Sequence, residues 1–237
     1  MNPFDQRDKA IELLMGDEAG CAAAVWAPGS EEELQAVDLM AKRGGVLPVQ
    51  THSTNVAVVT EPGGRPDDTD AVITRVPGLV IGVLTADCVP MVVYAPDIRA
   101  VAAIHAGWRG TLNGIIDNVV DKLAEMGADP KQMKVAFGPS ISRESYEVDF
   151  DLAQKFAEAG FGDCVYYLDE KNGKPHIDLQ QVNTIRFTRR GVRGDNIAKH
   201  VGCTFASVDA DGKPLYFSHR RSHGAPARNL TAISLCD

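Results

Sequence analysis

The stretch TADCVPMVVYAPDIRAVAAIHAGWRGT, from Thr85 to Thr111, decides how this chain is read. Two apolar runs, MVVYA and RAVAAIHA, flank Pro96-Asp97, a pair with the composition of a turn. They predict an antiparallel hairpin. A two-residue turn sets Ala95 against Ile98 and Cys88 against His105. A four-residue turn, Pro96 to Arg99, moves the register by two and makes that pair diagonal on the same face. Directly opposed residues have Cβ atoms about 4.5–5.5 Å apart, so either register lets the two side chains converge. Pro90 weakens the ladder beside Cys88. Alone, Cys88 reads as a small buried hydrophobe and His105 as a satisfied core histidine. Together, with Asp87 before the cysteine and GWRG after the histidine, they point to chemistry.

Working outward, AVITRVPGLVIGVLTA predicts two short strands around Pro77-Gly78. GVLPVQTHSTNVAVVT is β-rich and carries His52 in a polar interruption, and EPGGRPDDTD is a Gly/Pro-rich loop. Glu31 to Arg43 reads as a helix. Leu112, Ile115, Ile116, Val119, Val120 and Leu123 keep helical spacing, and Gly127 is placed to stop that helix. MKVAFGP predicts a strand, residues 151–160 and 179–190 predict helices, PLYFSHRR a late strand and AISLC a closing one. Strands and helices do not alternate regularly, so the fold class is mixed α+β rather than a βαβ succession. Neither a dinucleotide fingerprint nor a P-loop is present.

The chain has 237 residues, enough for one large domain with a sizeable core. A formal net charge of −8 argues against a nucleic-acid partner but leaves room for a small anionic substrate. No secretory signal and no apolar run of membrane-spanning length is visible, so no membrane partner is expected. Five scattered cysteines without a CxxC pair read as reduced thiols in a cytoplasm. A monomer or small homo-oligomer is expected.

Cysteine, histidine and histidine at one point make a good zinc set, with three protein ligands and an open fourth position. His52, Cys88 and His105 would be that set if His52 reaches the other two. The same residues allow a metal-free alternative, with Cys88 as nucleophile and His105 as base. The GWRG amides and Arg109 make a candidate anion site at a helix entrance, or else a plain glycine-rich turn. Asp87 is a candidate carboxylate for proton transfer, Arg220 a second anion contact, and Tyr146 and Glu147 candidate pocket residues. A multicopper oxidase needs many histidines, whereas this chain has six and no HxH pair.

QTHSTNV, GVLTADCVPMVVYAPD, AAIHAGWRGT, FGPSISRESYEV and YFSHRR together resemble the YfiH family of laccase-domain proteins, formerly labelled polyphenol oxidases. The resemblance runs from about Val46 to the C-terminus, within a single domain taken as residues 1–237. It implies mixed β-sheet layers flanked by helices, similar to cysteine-hydrolase-like toxin domains. It implies a zinc site on His52, Cys88 and His105, with copper less favoured. It further implies purine nucleoside phosphorolysis (adenosine, inosine, guanosine, methylthioadenosine) and adenosine deamination, with nucleoside and phosphate as partners. Some bacterial members resemble amidases that edit cytoplasmic muropeptide precursors. Two departures bear on substrate identity. CAAAVWAPGSEEE stands where family members carry an arginine-containing segment, and HST replaces the usual HG.

Overall fold

The computed structural model describes residues 21–25, 40, 42, 44–169, 173–200, 202–223 and 227–235. Its strands are β1 (Cys21–Val25), β2 (Val56–Val58), β3 (Ala71–Thr74), β4 (Ile81–Thr85), β5 (Val89–Ala95) and β6 (Ala100–Ala106). They continue as β7 (Lys134–Phe137), β8 (Val165–Tyr167), β9 (Pro175–Ile177), β10 (Ile197–Ala198) and β11 (Asn229–Leu235). The α-helices are α1 (Trp108–Asn113), α2 (Ile115–Glu125), α3 (Phe150–Phe156), α4 (Leu179–Arg189) and α5 (His219–Ser222). The helix expected over Glu31 to Arg43 falls almost wholly outside the described residues.

The hairpin β5–β6 forms the centre. Ala95 faces Ala100 and Pro90 faces His105, so the chain adopts the four-residue turn and Cys88 lies diagonal to His105. Around this hairpin a six-stranded sheet runs in the order β10-β7-β5-β6-β3-β2. Its outermost pairs, β10–β7 and β2–β3, are parallel and the inner ones antiparallel. A second, antiparallel sheet runs β1-β11-β4.

Every residue of β5 and β6 is buried, because both faces of the large sheet are covered. Met91, Val93, Ala102 and Ile104 point to one face and pack on Ile116, Val119, Val120 and Leu123 of α2 and Phe187 of α4. Val92, Tyr94, Val101 and Ala103 point to the other and pack on Ile81, Val83, Ile233 and Leu235 of the small sheet. The result is three layers: helices, six strands, three strands. The many alanines of β6 keep the layers close.

The structure corrects three local expectations. The apolar spacing from Leu112 to Leu123 is carried by two helices, since Gly114 sits at φ 92° and ends α1 where α2 begins. The late strand expected at PLYFSHRR does not form. Pro214 makes a single bridge to Val208, and Ser218 then caps α5 by accepting from the Arg221 amide. The guanidinium of Arg221 is spent on the carbonyls of Thr204, Phe205 and Tyr216, which binds that segment into a loop. Around His52 only Val56–Val58 is strand, because the preceding amides turn towards a carboxylate, as described below.

Gly114 has no room for a side chain. An added Cβ would lie 2.7 Å from the Asp117 carboxylate, which ion-pairs with Arg186 of α4. Gly114→Ala is expected to lower unfolding free energy by about 1–3 kcal/mol, through the left-handed backbone and the disturbed ion pair. Urea denaturation against the parent protein measures this.

Candidate metal centre

His105 is the penultimate residue of β6 and faces the small-sheet side, with Val101 and Ala103. Directly across the β3–β6 pair stands Asp70, whose carbonyl accepts from the His105 amide at 2.8 Å. The His105 ring also meets this residue, with Nδ1 2.6 Å from Asp70 Oδ1. A carboxylate can only accept, so Nδ1 carries the proton and Nε2 is left for the cluster. Cys88 stands one residue before β5, and Asp87 before it has φ 86°. His52 lies on the loop before β2 with φ 64°, and its Nε2 is 3.9 Å from Cys88 Sγ. The two histidine rings meet edge to face, with centroids 4.9 Å apart.

One ligand atom from each of His52, Cys88 and His105 lies within 4.8 Å of the others. Among the described residues this is the one such group of three that could hold a metal ion. A tetrahedral zinc with ordinary bond lengths would hold such atoms about 3.3–3.6 Å apart, so a small inward movement closes the set. His105 is buried, Cys88 half-buried and His52 exposed, so the cluster opens to solvent on one side. Gly107 forms its floor. A Cβ there would come within 2.8 Å of the His52 ring and 3.0 Å of Cys88 Sγ.

Charge is arranged around one buried anion. Burial raises the Asp70 pKa, but hydrogen bonds from His105 and Ser53 outweigh it and hold the carboxyl at about 2. Burial likewise opposes ionisation of Cys88, yet His105 first and then His52 bring the thiol down to about 6. Burial would lower His105, but Cys88 and Asp70 raise it to about 9. Cys88 and His105 thus each favour the charged form of the other.

The other expected residues surround this cluster without joining it. Asp87 accepts from the Thr204 hydroxyl at 2.6 Å and from the Arg220 amide at 2.7 Å, so both its oxygens are engaged away from the ligands. The Arg109 guanidinium is exposed and lies 4.4 Å above the Trp108 ring. Arg220 donates to the Glu147 carbonyl at 2.9 Å and lies 5.6 Å from the Tyr146 ring centre. Burial first, and then the Cys88 charge, push the Tyr146 phenol up, while Arg220 and Arg109 act against them. Tyr146 thus feels the cysteine and both arginines. The Glu147 side chain is exposed and faces Lys174.

Sequence reasoning missed Asp70. It closes the acidic run DDTD, which reads as a solvated loop. The available signal was its position one residue before the buried strand AVIT. Alternation along that strand puts Asp70 on the same face as Val72.

Residues 29–236 match the family described as "Multi-copper polyphenol oxidoreductase laccase", and the chain belongs to that family. The protein "Adenosine deaminase RL5", from an unknown prokaryotic organism, is 35% identical over 198 residues, covering 79% of this chain and 74% of that one. A "Purine nucleoside phosphorylase" of Deinococcus radiodurans is 33% identical over 186 residues, covering 78% and 68%. The YfiH protein of Bacillus licheniformis has a crystal structure that superposes with a TM-score of 0.80 at 24% identity, over 91% of this chain and 92% of that one. YlmD of Geobacillus stearothermophilus gives 0.77, also at 24% identity, over 92% and 93%. These two structures establish the YfiH-like α+β fold.

The acidified thiol is directly measurable. In the metal-free protein, alkylation of Cys88 should rise with pH through an apparent pKa near 6, against an ordinary 9.0. Cys164, pushed up to about 11 chiefly by burial, should stay unmodified at neutral pH. Site-resolved mass spectrometry after timed iodoacetamide treatment checks both. A Cys88 midpoint near 9 would contradict the assigned charge pairing.

Proposed function

We propose that this protein is a zinc-dependent purine nucleoside phosphorylase with adenosine deamination as a side activity. Its substrates would be adenosine, inosine, guanosine or methylthioadenosine, together with phosphate. The observation that carries the reading is the cysteine sulfur and two imidazoles gathered within 4.8 Å, in a chain similar to proteins named for these two activities. His52, Cys88 and His105 would hold the ion, and one sulfur with two imidazole nitrogens is a donor set that suits zinc. A bound zinc would supply Lewis acidity and, for deamination, an activated water.

The remaining work falls to the chain's own groups. Arg109, over the Trp108 ring, and Arg220, beside the Tyr146 ring, are the candidates to hold phosphate, whose charge suits guanidinium forks. Tyr146 and Trp108 offer aromatic faces to a purine. Asp87 enters as the residue that sets Arg220 in place, since both its oxygens already accept hydrogen bonds. Copper polyphenol oxidation is disfavoured by ligand supply. The chain has six histidines, and the Nδ1 of one of them, His176, lies 2.9 Å from the Arg143 carbonyl.

A second reading, a metal-free Cys/His hydrolase, or else a muropeptide-editing amidase, draws for its thiol chemistry on one observation, the acidified Cys88 beside His105. Substitution of the thiol separates the two. Cys88→Ala should abolish bound zinc and turnover together, because a methyl group cannot ligate. Normal zinc content with lost turnover would instead make Cys88 the nucleophile.

The activity is tested by incubating inosine with purified protein, with and without phosphate, and separating products by chromatography. Free base and ribose 1-phosphate should appear only when phosphate is present. Phosphate-independent cleavage, or none, would count against the reading.

Arg109→Ala should raise the apparent KM for phosphate about tenfold or more, the scale of one lost charge-assisted hydrogen bond. Zinc content should stay normal, and deamination, which needs water rather than phosphate, should fall less. Unchanged phosphate dependence would remove Arg109 from the anion site.

A further inference from the structure

We propose that Asp70 is the positioning residue of the metal centre: it fixes which nitrogen of His105 faces the cluster and holds His52 in place through the backbone. This inference rests on the metal reading above and assigns Asp70 no contact with substrate.

Asp70 is fully buried. Its two oxygens collect five donors. Oδ1 accepts from His105 Nδ1 at 2.6 Å and the His52 amide at 3.1 Å. Oδ2 accepts from the Thr51 amide at 3.1 Å, the Ser53 amide at 2.7 Å and the Ser53 hydroxyl at 2.8 Å. Three consecutive amides on one carboxylate form a nest, an anion-binding turn that requires an αL residue within it. That residue is His52, at φ 64°. The unusual backbone of one ligand therefore follows from the same carboxylate that orients the other.

A buried carboxylate could equally serve the fold alone, as a tie between β3 and β6. The surroundings separate the two roles. The loop carrying His52 has further anchors that do not involve Asp70. The Gln50 side chain pairs with both the amide and the carbonyl of Leu84, at 2.8 Å each. Asn118 of α2 donates to the Thr54 carbonyl at 2.8 Å, and Asn55 to Asp68. These contacts hold both ends of the loop. In its middle, Asp68 takes the Thr51 and Ser53 hydroxyls on either side of His52, and what falls to Asp70 is the run of backbone amides through His52 and the His105 ring. Replacing its charge should therefore disturb the two ligands more than the fold.

Asp70→Asn provides the test. An amide of the same shape presents an N–H where the nest and His105 need acceptors, and it favours the His105 tautomer with the proton on Nε2. We expect the variant to unfold cooperatively by circular dichroism and to bind zinc about 10–100-fold more weakly in chelator competition, the usual cost of losing a ligand's hydrogen-bond partner. Zinc affinity within twofold of the parent would overturn the proposal. If the variant fails to fold, nitrogen-15 NMR of the parent protein decides. A proton should reside on His105 Nδ1, shifted downfield, both before and after zinc is added, while the Nε2 signal moves on binding. Loss of the Nδ1 proton on zinc addition would overturn the proposal. A parent protein that binds no zinc overturns the metal reading itself, a result distinct from a parent that binds zinc and an Asp70→Asn variant that binds it equally well.

Discussion

The interaction on which the site depends is the burial of one carboxylate, Asp70, against His105. An ionised carboxylate inside a protein is costly unless its oxygens are satisfied. Satisfying them here takes the imidazole of β6, three loop amides and a serine hydroxyl. Those demands explain several features that look unrelated. The loop before β2 cannot extend as a strand because its amides are committed to Asp70. His52 takes a left-handed conformation because the nest needs one. His105 is held in one orientation at the end of a strand whose other residues are apolar.

The three-layer packing puts this pair at a rim. Residues of β6 alternate between the helical layer and the small sheet, and His105 comes where the strand ends, beyond Val101 and Ala103. His105 itself stays buried there, but Cys88 is only half-buried and His52 is exposed. Gly107 then turns the chain into α1 with no side chain to fill the gap. An apolar core supplies rigidity on one side, and solvent access follows from where the strand stops.

Much of this was legible from Thr85 to Thr111. Two apolar runs around a turn gave the hairpin, and parity along each strand put Cys88 and His105 on one face in either register. Turn composition could not choose between two and four residues, and the observed four-residue turn makes the pair diagonal. What could not be read was pairing between distant strands. That β3 lies beside β6, and so sets Asp70 against His105, follows from sheet order rather than from local pattern. PLYFSHRR failed for a related reason. Its apolar and aromatic residues favour a strand, but Arg221 finds three backbone carbonyls and Ser218 finds an amide to cap, and these polar contacts produce a loop and a short helix.

The second ligand segment is built like the first. Cys88 follows a residue in the left-handed region, Asp87 at φ 86°, whose carboxylate is again saturated by a distant segment. Here the donors are the Thr204 hydroxyl and the Arg220 amide. Asp70 thus ties His52 to His105, and Asp87 ties the start of the Cys88 strand to the loop that presents Arg220 beside Tyr146. The backbone on each side of the cluster is aimed by a carboxylate that reaches across the fold. Cys88 is consequently shared between two constructions: its sulfur faces the histidines, while its backbone neighbour holds the arginine side. Through those two hydrogen bonds Asp87 fastens the 204–221 segment, which carries Arg220, to the residue that precedes Cys88.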